Sequence, residues 1–242
     1  EISEEIKQLT GLEKTKVSPL ELMSALLRAP TELLWFGGIG TYVKATHEQH
    51  WEVGDKTNDA LRLNATEVGA SVIGEGANLG FTQAGRIEYA MHGGNINTDS
   101  IDNSAGVDCS DHEVNIKILV NALVAQGDLT GKQRNQLLES MTDQVGMLVL
   151  KHNYDQNRAI TMLVQISANQ IKNEPWLIEL IEKKGHLNRQ LETIPENDEL
   201  IERGKKGEGL VRPEIAVLLA YSKQLMKQQL SIELSSLDND LF

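Results

Sequence analysis

The sequence predicts an α/β remnant of a doubly wound parallel sheet followed by an all-helical region, mostly α overall. Three observations carry that prediction. Two short apolar runs, Glu32–Phe36 and Ser71–Gly74, stop at glycines and read as strands buried on both faces. From Ser110 onward the apolar residues recur at the helical period almost to the end. The changeover falls near Ser104–Ser110, which divides the chain into an α/β part, 1–109, and a helical part, 110–242. The first part has too few strands to complete a doubly wound sheet by itself.

The elements follow in order. Residues 3–9 form a short helical turn capped by Ser3. Ser18-Pro19-Leu20-Glu21 starts a stronger helix: Ser18 is the N-cap, Pro19 suits the first helical position and Glu21 closes a capping box. Leu20, Met23, Leu26 and Leu27 share one face of it, and Pro30 ends it. After the first strand, Thr41–Val53 matches neither period, and Asn64 caps a helical turn through Val68. Thr82 caps a helix through Met91, with Ile87, Ala90 and Met91 on its apolar side, closed by His92-Gly93-Gly94. Ile96–Thr98 is a candidate third strand. A helix beginning at Ser110 carries an apolar stripe of Val114, Ile118, Leu119 and Leu123. Thr130 caps the next helix, through Leu150, with Leu137, Leu138, Met141, Val145, Leu148 and Val149 inward. Helices over 155–171, 175–184 and 213–230 complete the pattern, and the tail Ser235–Phe242 is weakly specified.

Composition excludes several classes. The net charge of −12 argues against nucleic acid and anionic membrane surfaces, which need a basic face. Aromatics at 4% leave few platforms for base stacking. The single cysteine, Cys109, forms no internal disulfide, so a secreted disulfide scaffold is ruled out. No run of 18 apolar residues exists to span a membrane, and the acidic, lysine-bearing N-terminus is unlike a signal peptide. A cytoplasmic location is the expectation.

The motifs each admit a plain reading. Gly37-Gly38-Ile39-Gly40 follows a strand but lacks the G-x-G-x-x-G spacing, and a tight strand-to-loop turn accounts for it better than a phosphate cradle. Gly74-Glu75-Gly76-Ala77-Asn78-Leu79-Gly80 lies at the end of a strand and before a capped helix, where open α/β sheets bind ligands. Its residue types equally suit a loop whose glycines take positive φ and whose Asn78 bonds its own backbone. Asp102, Asp108, Cys109, Asp111, His112 and Glu113 include metal-ligand types, but their spacing matches no zinc signature, so no metal is expected. A Cys109–His112 pair rests only on adjacency in sequence. Ser110-Asp111-His112-Glu113 reads as a capping box at a helix start, a position that also attracts carboxylates.

A resemblance adds to these readings. Val72-Ile73-Gly74-Glu75-Gly76-Ala77-Asn78 resembles the V-x-x-E-G-A-N strand and loop of the glutamate dehydrogenase family. Asn64-Ala65 and the run Asn103-Ser104-Ala105-Gly106-Val107-Asp108-Cys109-Ser110-Asp111-His112-Glu113, similar to N-x-G-G-V-x-x-S-x-x-E, follow the family's order and spacing. The wording of WFGGIGTYVKA, GRIEYA and RPEIAVLLAYSK is similar to the large NAD-specific bacterial members, and the likeness covers nearly the whole chain. It implies the C-terminal part of a Rossmann-like NAD-binding domain over 1–109 and a helical domain over 110–242. It also implies NAD as cofactor, L-glutamate and 2-oxoglutarate as substrates, and a homo-oligomeric parent.

By the same resemblance Asn78, Asn103 and Gly76 address the cofactor, while Ser110 bonds the substrate's side-chain carboxylate and Val107 lines that pocket. The family's phosphate turn, substrate lysines and catalytic aspartate would lie before the matching segment, so an inactive fragment is expected and no catalytic residue is assigned. Leu79-Gly80-Phe81-Thr82 and Ser104-Ala105 depart from the family's usual wording, which bears on the shape of the loops. The other reading that the residues support is a helical regulatory or assembly module without a catalytic role of its own.

Overall fold

The computed structural model describes residues 1–171 and 174–238. It is mostly helical, with two parallel sheets of two strands each among the described residues. Local capping sets the first elements. Ser3 accepts from Ile6 N–H at the start of α1 (Glu4–Thr10), and Ser18 with Glu21 forms the expected capping box on α2 (Pro19–Arg28). Strand β1 (Leu33–Phe36) pairs in parallel with β4 (Val72–Glu75), in the register Leu33–Val72 through Phe36–Glu75. Between them β2 (Val43–Lys44) pairs with β3 (Leu63–Asn64), and Asn64 caps a short 3-10 turn with Glu67 as expected. Helix α3 (Gln83–Met91) starts at its Thr82 cap.

Two strand expectations are corrected. Strand β1 is not buried on both faces: Leu33 and Trp35 are 58% and 56% exposed, because no element among the described residues covers that side of the sheet. Residues 96–98 form no strand; only Asn95 makes a single parallel bridge, to Val72. The chain turns there into the short helix α4 (Asp99–Asp102) before further pairing develops.

The helical part departs further from expectation. Helix α5 runs Ser104–Gln126, so Ser110 lies two turns inside it and caps nothing. The S-x-x-E pattern is a start signal only where the helix lacks preceding turns, and Ser104–Cys109 are already helical, through Gly106. The stripe Val114, Ile118 and Leu119 faces outward, and Val120 is the buried residue of α5.

Thr130 caps α6 as expected, with Gln133 closing the box, but α6 (Gly131–Ser140) ends near Met141. Helix α7 (Thr142–Gln170) then runs unbroken through Asp155. Leu137, Leu148 and Met91, expected inward, are exposed, whereas Val149 and Ile87 are buried. Helices α8 (Glu174–Gly185), α9 (Arg189–Glu192), α10 (Asn197–Lys205) and α11 (Arg212–Asp238) follow. Of the weakly specified tail, residues 239–242 lie outside the described residues.

Two apolar cores result. Phe36, Val43, Leu63, Ile73, Phe81 and Ile96 fill the first, and Ile160, Ile178, Ile181, Leu200, Leu210 and Ile215 the second, to which Ile101 belongs. Arg212 ties the two parts together. Its guanidinium donates to Asn97 Oδ1 at 2.9 Å and to Thr161 Oγ1 at 2.8 Å.

Candidate functional site

The end of β4 and the loop after it are held from below by charge. Glu75, the last residue of the strand, is fully buried. Arg86 on α3 donates to both its oxygens, Nε to Oε2 at 2.6 Å and Nη2 to Oε1 at 2.9 Å. Phe81 N–H donates to Oε1 at 3.0 Å, which folds the loop 76–80 back over the carboxylate. Burial pushes the Glu75 carboxyl up, opposed by Arg86. Arg86 also reaches Asp99 Oδ2 at 3.2 Å.

The two acids of α4 then grip the backbone. Asp102 accepts from Glu75 N–H at 2.9 Å, and Asp99 accepts from Leu79 N–H at 2.8 Å. Burial also raises the Asp102 carboxyl, against the bonds from Asn97 and Glu75.

The glycines of this loop do not take positive φ. That conformation falls to Leu79, at φ 64°, a strained choice for a branched residue. Gly74 and Gly76 instead make room for Trp35: a Cβ on Gly76 would meet the indole at 2.5 Å, and one on Gly74 at 2.3 Å. Gly40 is the member of Gly37-Gly38-Ile39-Gly40 with positive φ, in keeping with a tight turn.

The structure brings Asn78 and Asn103 together. Asn103 Nδ2 donates to Asn78 Oδ1, joining the loop after β4 to the junction of α4 and α5. Asn78 does not bond its own backbone among the described residues. The pair keeps an unengaged amide donor on Asn78 and an unengaged acceptor on Asn103 among those residues, the complement of a carboxamide.

Asn103, Val107 and Ser110, spaced by four and three residues, fall on one side of α5. Val107 is 63% exposed and Ser110 is exposed, so neither is committed to the core. Asn103 and Val107 line an open cleft of about 560 Å³ with Asp108, His152 and Lys223; Ser110 is outside that lining. Burial pulls the Lys223 ammonium down, and its Nζ donates to Gln156 Oε1 at 2.7 Å. Gly76 lies on the strand side, under Trp35, away from this cleft.

Sequence reasoning missed the supports. Asp99, Arg86 and Arg212 were given no role; the signal for Arg86 was the buried-strand glutamate, which demands a cation. A larger cavity, about 720 Å³, lies between α3 and the α9–α10 region, lined by His47, Glu88, Arg189 and Glu214, and contains none of the expected site residues.

Comparison with known proteins places these features in context. Residues 1–163 match the model described as bacterial NAD-glutamate dehydrogenase, catalytic domain. The NAD-specific glutamate dehydrogenase of Pseudomonas aeruginosa is 51% identical over 229 residues, 95% of this chain and 14% of the relative. That of Halomonas elongata is 48% identical over 229 residues, with the same shares. That of Mycobacterium tuberculosis is 46% identical over 255 residues, covering 100% of this chain and 15% of the relative. The chain thus spans only 14% or 15% of the length of these curated relatives.

Proposed function

The chain belongs to the bacterial NAD-glutamate dehydrogenase family, in its catalytic domain, and from that premise we propose that it forms one wall of a glutamate-oxidising cleft in a longer enzyme. The reaction is oxidative deamination of L-glutamate to 2-oxoglutarate and ammonia. NAD, when bound, supplies the hydride acceptor. Residues 1–109 serve as the C-terminal part of the NAD-binding domain and 110–242 as a helical domain.

The Asn78–Asn103 hydrogen bond is the observation that carries this reading. It sets two amides side by side at the carboxyl end of a parallel strand, where open α/β sheets bind ligands. Asn103 holds the nicotinamide carboxamide, and Asn78 sits between that ring and the substrate. Gly76 borders the cofactor on the strand side. Ser110 donates its hydroxyl proton to the side-chain carboxylate of glutamate, and Val107 lines the pocket around its methylenes. The residues that move the proton and hold the phosphates belong to other parts of the enzyme, so the isolated chain is inactive. The enzyme is a cytoplasmic homo-oligomer in this reading.

Alanine at Asn78 and at Asn103 in the intact enzyme tests it. Each substitution raises the KM for NAD by roughly three- to tenfold, the worth of one hydrogen bond. Unaltered NAD kinetics in both variants would remove the amide pair from the site.

A second reading, a helical assembly module, is favoured by one observation: Val114, Ile118 and Leu119 on α5 and Met147 and Leu150 on α7 are all exposed. If it holds, Ile118→Asp alters the sedimentation of the intact enzyme while the two asparagine variants leave NAD kinetics untouched.

A further inference from the structure

We propose that Asp108, His112 and His152 form a binding site for a divalent transition-metal ion of the zinc class. Asp108 and His112 stand one turn apart on α5, and His152 comes from α7. One ligand atom from each lies within 4.8 Å of the others. His152 Nδ1 is 2.8 Å from Asp108 Oδ2, and His112 Nε2 is 3.6 Å from Asp108 Oδ1. The two imidazoles thus flank the two oxygens of one carboxylate, close enough for a single ion with bonds of about 2.1 Å to draw the three groups together. The two imidazole rings lie nearly parallel, at 18°, with centroids 5.6 Å apart.

A second, independent observation points the same way. His112 Nε2 is shielded from solvent and has no hydrogen-bond partner among the described residues. A shielded polar nitrogen left without a hydrogen bond is costly, and the nearest acidic oxygen, Asp108 Oδ1 at 3.6 Å, is beyond hydrogen-bond reach. An ion between the three side chains satisfies it. Two imidazoles with one carboxylate select zinc, cobalt or nickel over magnesium or calcium, which require oxygen ligands.

Three protein ligands leave one coordination position for water. The ion clasps α5 to α7, and so fixes the helix whose first turns carry Asn103, Val107 and Ser110. The site adjoins the dehydrogenase cleft, whose lining includes Asp108 and His152 beside Asn103 and Val107, but none of its three ligands has an assigned role in that reading.

Cobalt(II) is the probe. Titrated into the untagged, metal-free intact enzyme, it is expected to bind at one equivalent per subunit and give a visible ligand-field absorption that zinc(II) abolishes by displacement. Asp108→Asn, His112→Gln and His152→Gln should each weaken binding at least about a hundredfold, more than the loss of an outer-shell partner, and erase the band. Cys109→Ser should retain it. Zinc should raise the melting temperature of the parent enzyme and not that of the variants. His152 is half exposed and serves as the deciding position if the α5 variants fail to fold. No visible band at one equivalent of cobalt overturns the proposal. So does a band that survives His152→Gln, or one that vanishes in Cys109→Ser.

Discussion

Arg86 and Glu75 form a buried two-point ion pair, with Nε–Oε2 at 2.6 Å and Nη2–Oε1 at 2.9 Å, and the loop carrying Asn78 is folded over it. Removing the cation alone strands a carboxylate in the core. Arg86→Met is therefore expected to cost about 3–5 kcal/mol of stability. The double variant Glu75→Gln/Arg86→Met should recover a good part of that loss. Urea unfolding of the three proteins measures both, and a double variant no better than Arg86→Met would put the cost in packing instead of charge.

Glu214 offers a test in pH. It is fully buried; one oxygen accepts from Arg203 Nη1 at 2.9 Å and Val211 N–H at 2.7 Å, and the other has no hydrogen-bond partner among the described residues. Burial holds its carboxyl above the ordinary value of 4.5, against the pull of Arg203. A raised folded-state value means that the folded protein holds the proton longer than the unfolded chain does. Glu214's contribution is thus fully present below 4.5 and is lost as pH rises through the raised value. The melting-temperature difference between the parent and Glu214→Gln should shift against the parent from acid toward neutral pH. A difference independent of pH would contradict this.

Gly69 has no room for a side chain. A Cβ there would lie 2.1 Å from the carbonyl oxygen of Arg28 and 2.6 Å from that of Ala29. Both obstacles are backbone, so a rotamer change gives no relief. Gly69→Ala should cost about 1–3 kcal/mol, read as a lowered urea midpoint. A neutral result would mean that the end of α2 moves freely against the turn before β4.

Ser110 separates two roles cleanly, since it is an exposed interior position of α5 and not a cap. Ser110→Ala should leave stability unchanged or improve it by about 0.5 kcal/mol, from helix propensity alone. In the intact enzyme the same change should raise the KM for glutamate more than that for NAD. A loss of stability with unchanged glutamate kinetics would return Ser110 to a structural part.

The sequence was most informative where structure is local. Ser3, Ser18, Asn64, Thr82 and Thr130 all cap the turns or helices assigned to them, because a cap needs only three or four neighbouring residues. The same logic misplaced the start of α5, since Ser110-x-x-Glu113 carries the identical pattern inside a helix. The break at Met141 has no glycine or proline to announce it.

Burial was harder to read. Periodicity gives the apolar face of β1 and α5, but whether a partner covers Leu33, Trp35 or Ile118 depends on chain elsewhere. At the site, Asn78 and Asn103 were legible as types and by resemblance, whereas their hydrogen bond, across 25 residues, was not. The Asp108–His152 contact, 44 residues apart, had no trace in local spacing.

The Arg212–Asn97 bond has a consequence in time. Asn97 also donates to Asp102 at 2.8 Å, and Asp102 holds the last residue of β4. These partners are joined across 115 residues of chain. At the pace of synthesis, about 5–20 residues per second, roughly 6–23 s pass between the emergence of the two. The parallel strand pair and the Asp102 grip on its end can form on the ribosome during that interval, but the bond from Arg212 to Asn97 waits for the start of α11. A nascent chain halted before Arg212 would hold the strands and the Asp102 clasp yet lack the tie from Asn97 to α11, so that link between the two cores is timed by the start of this helix.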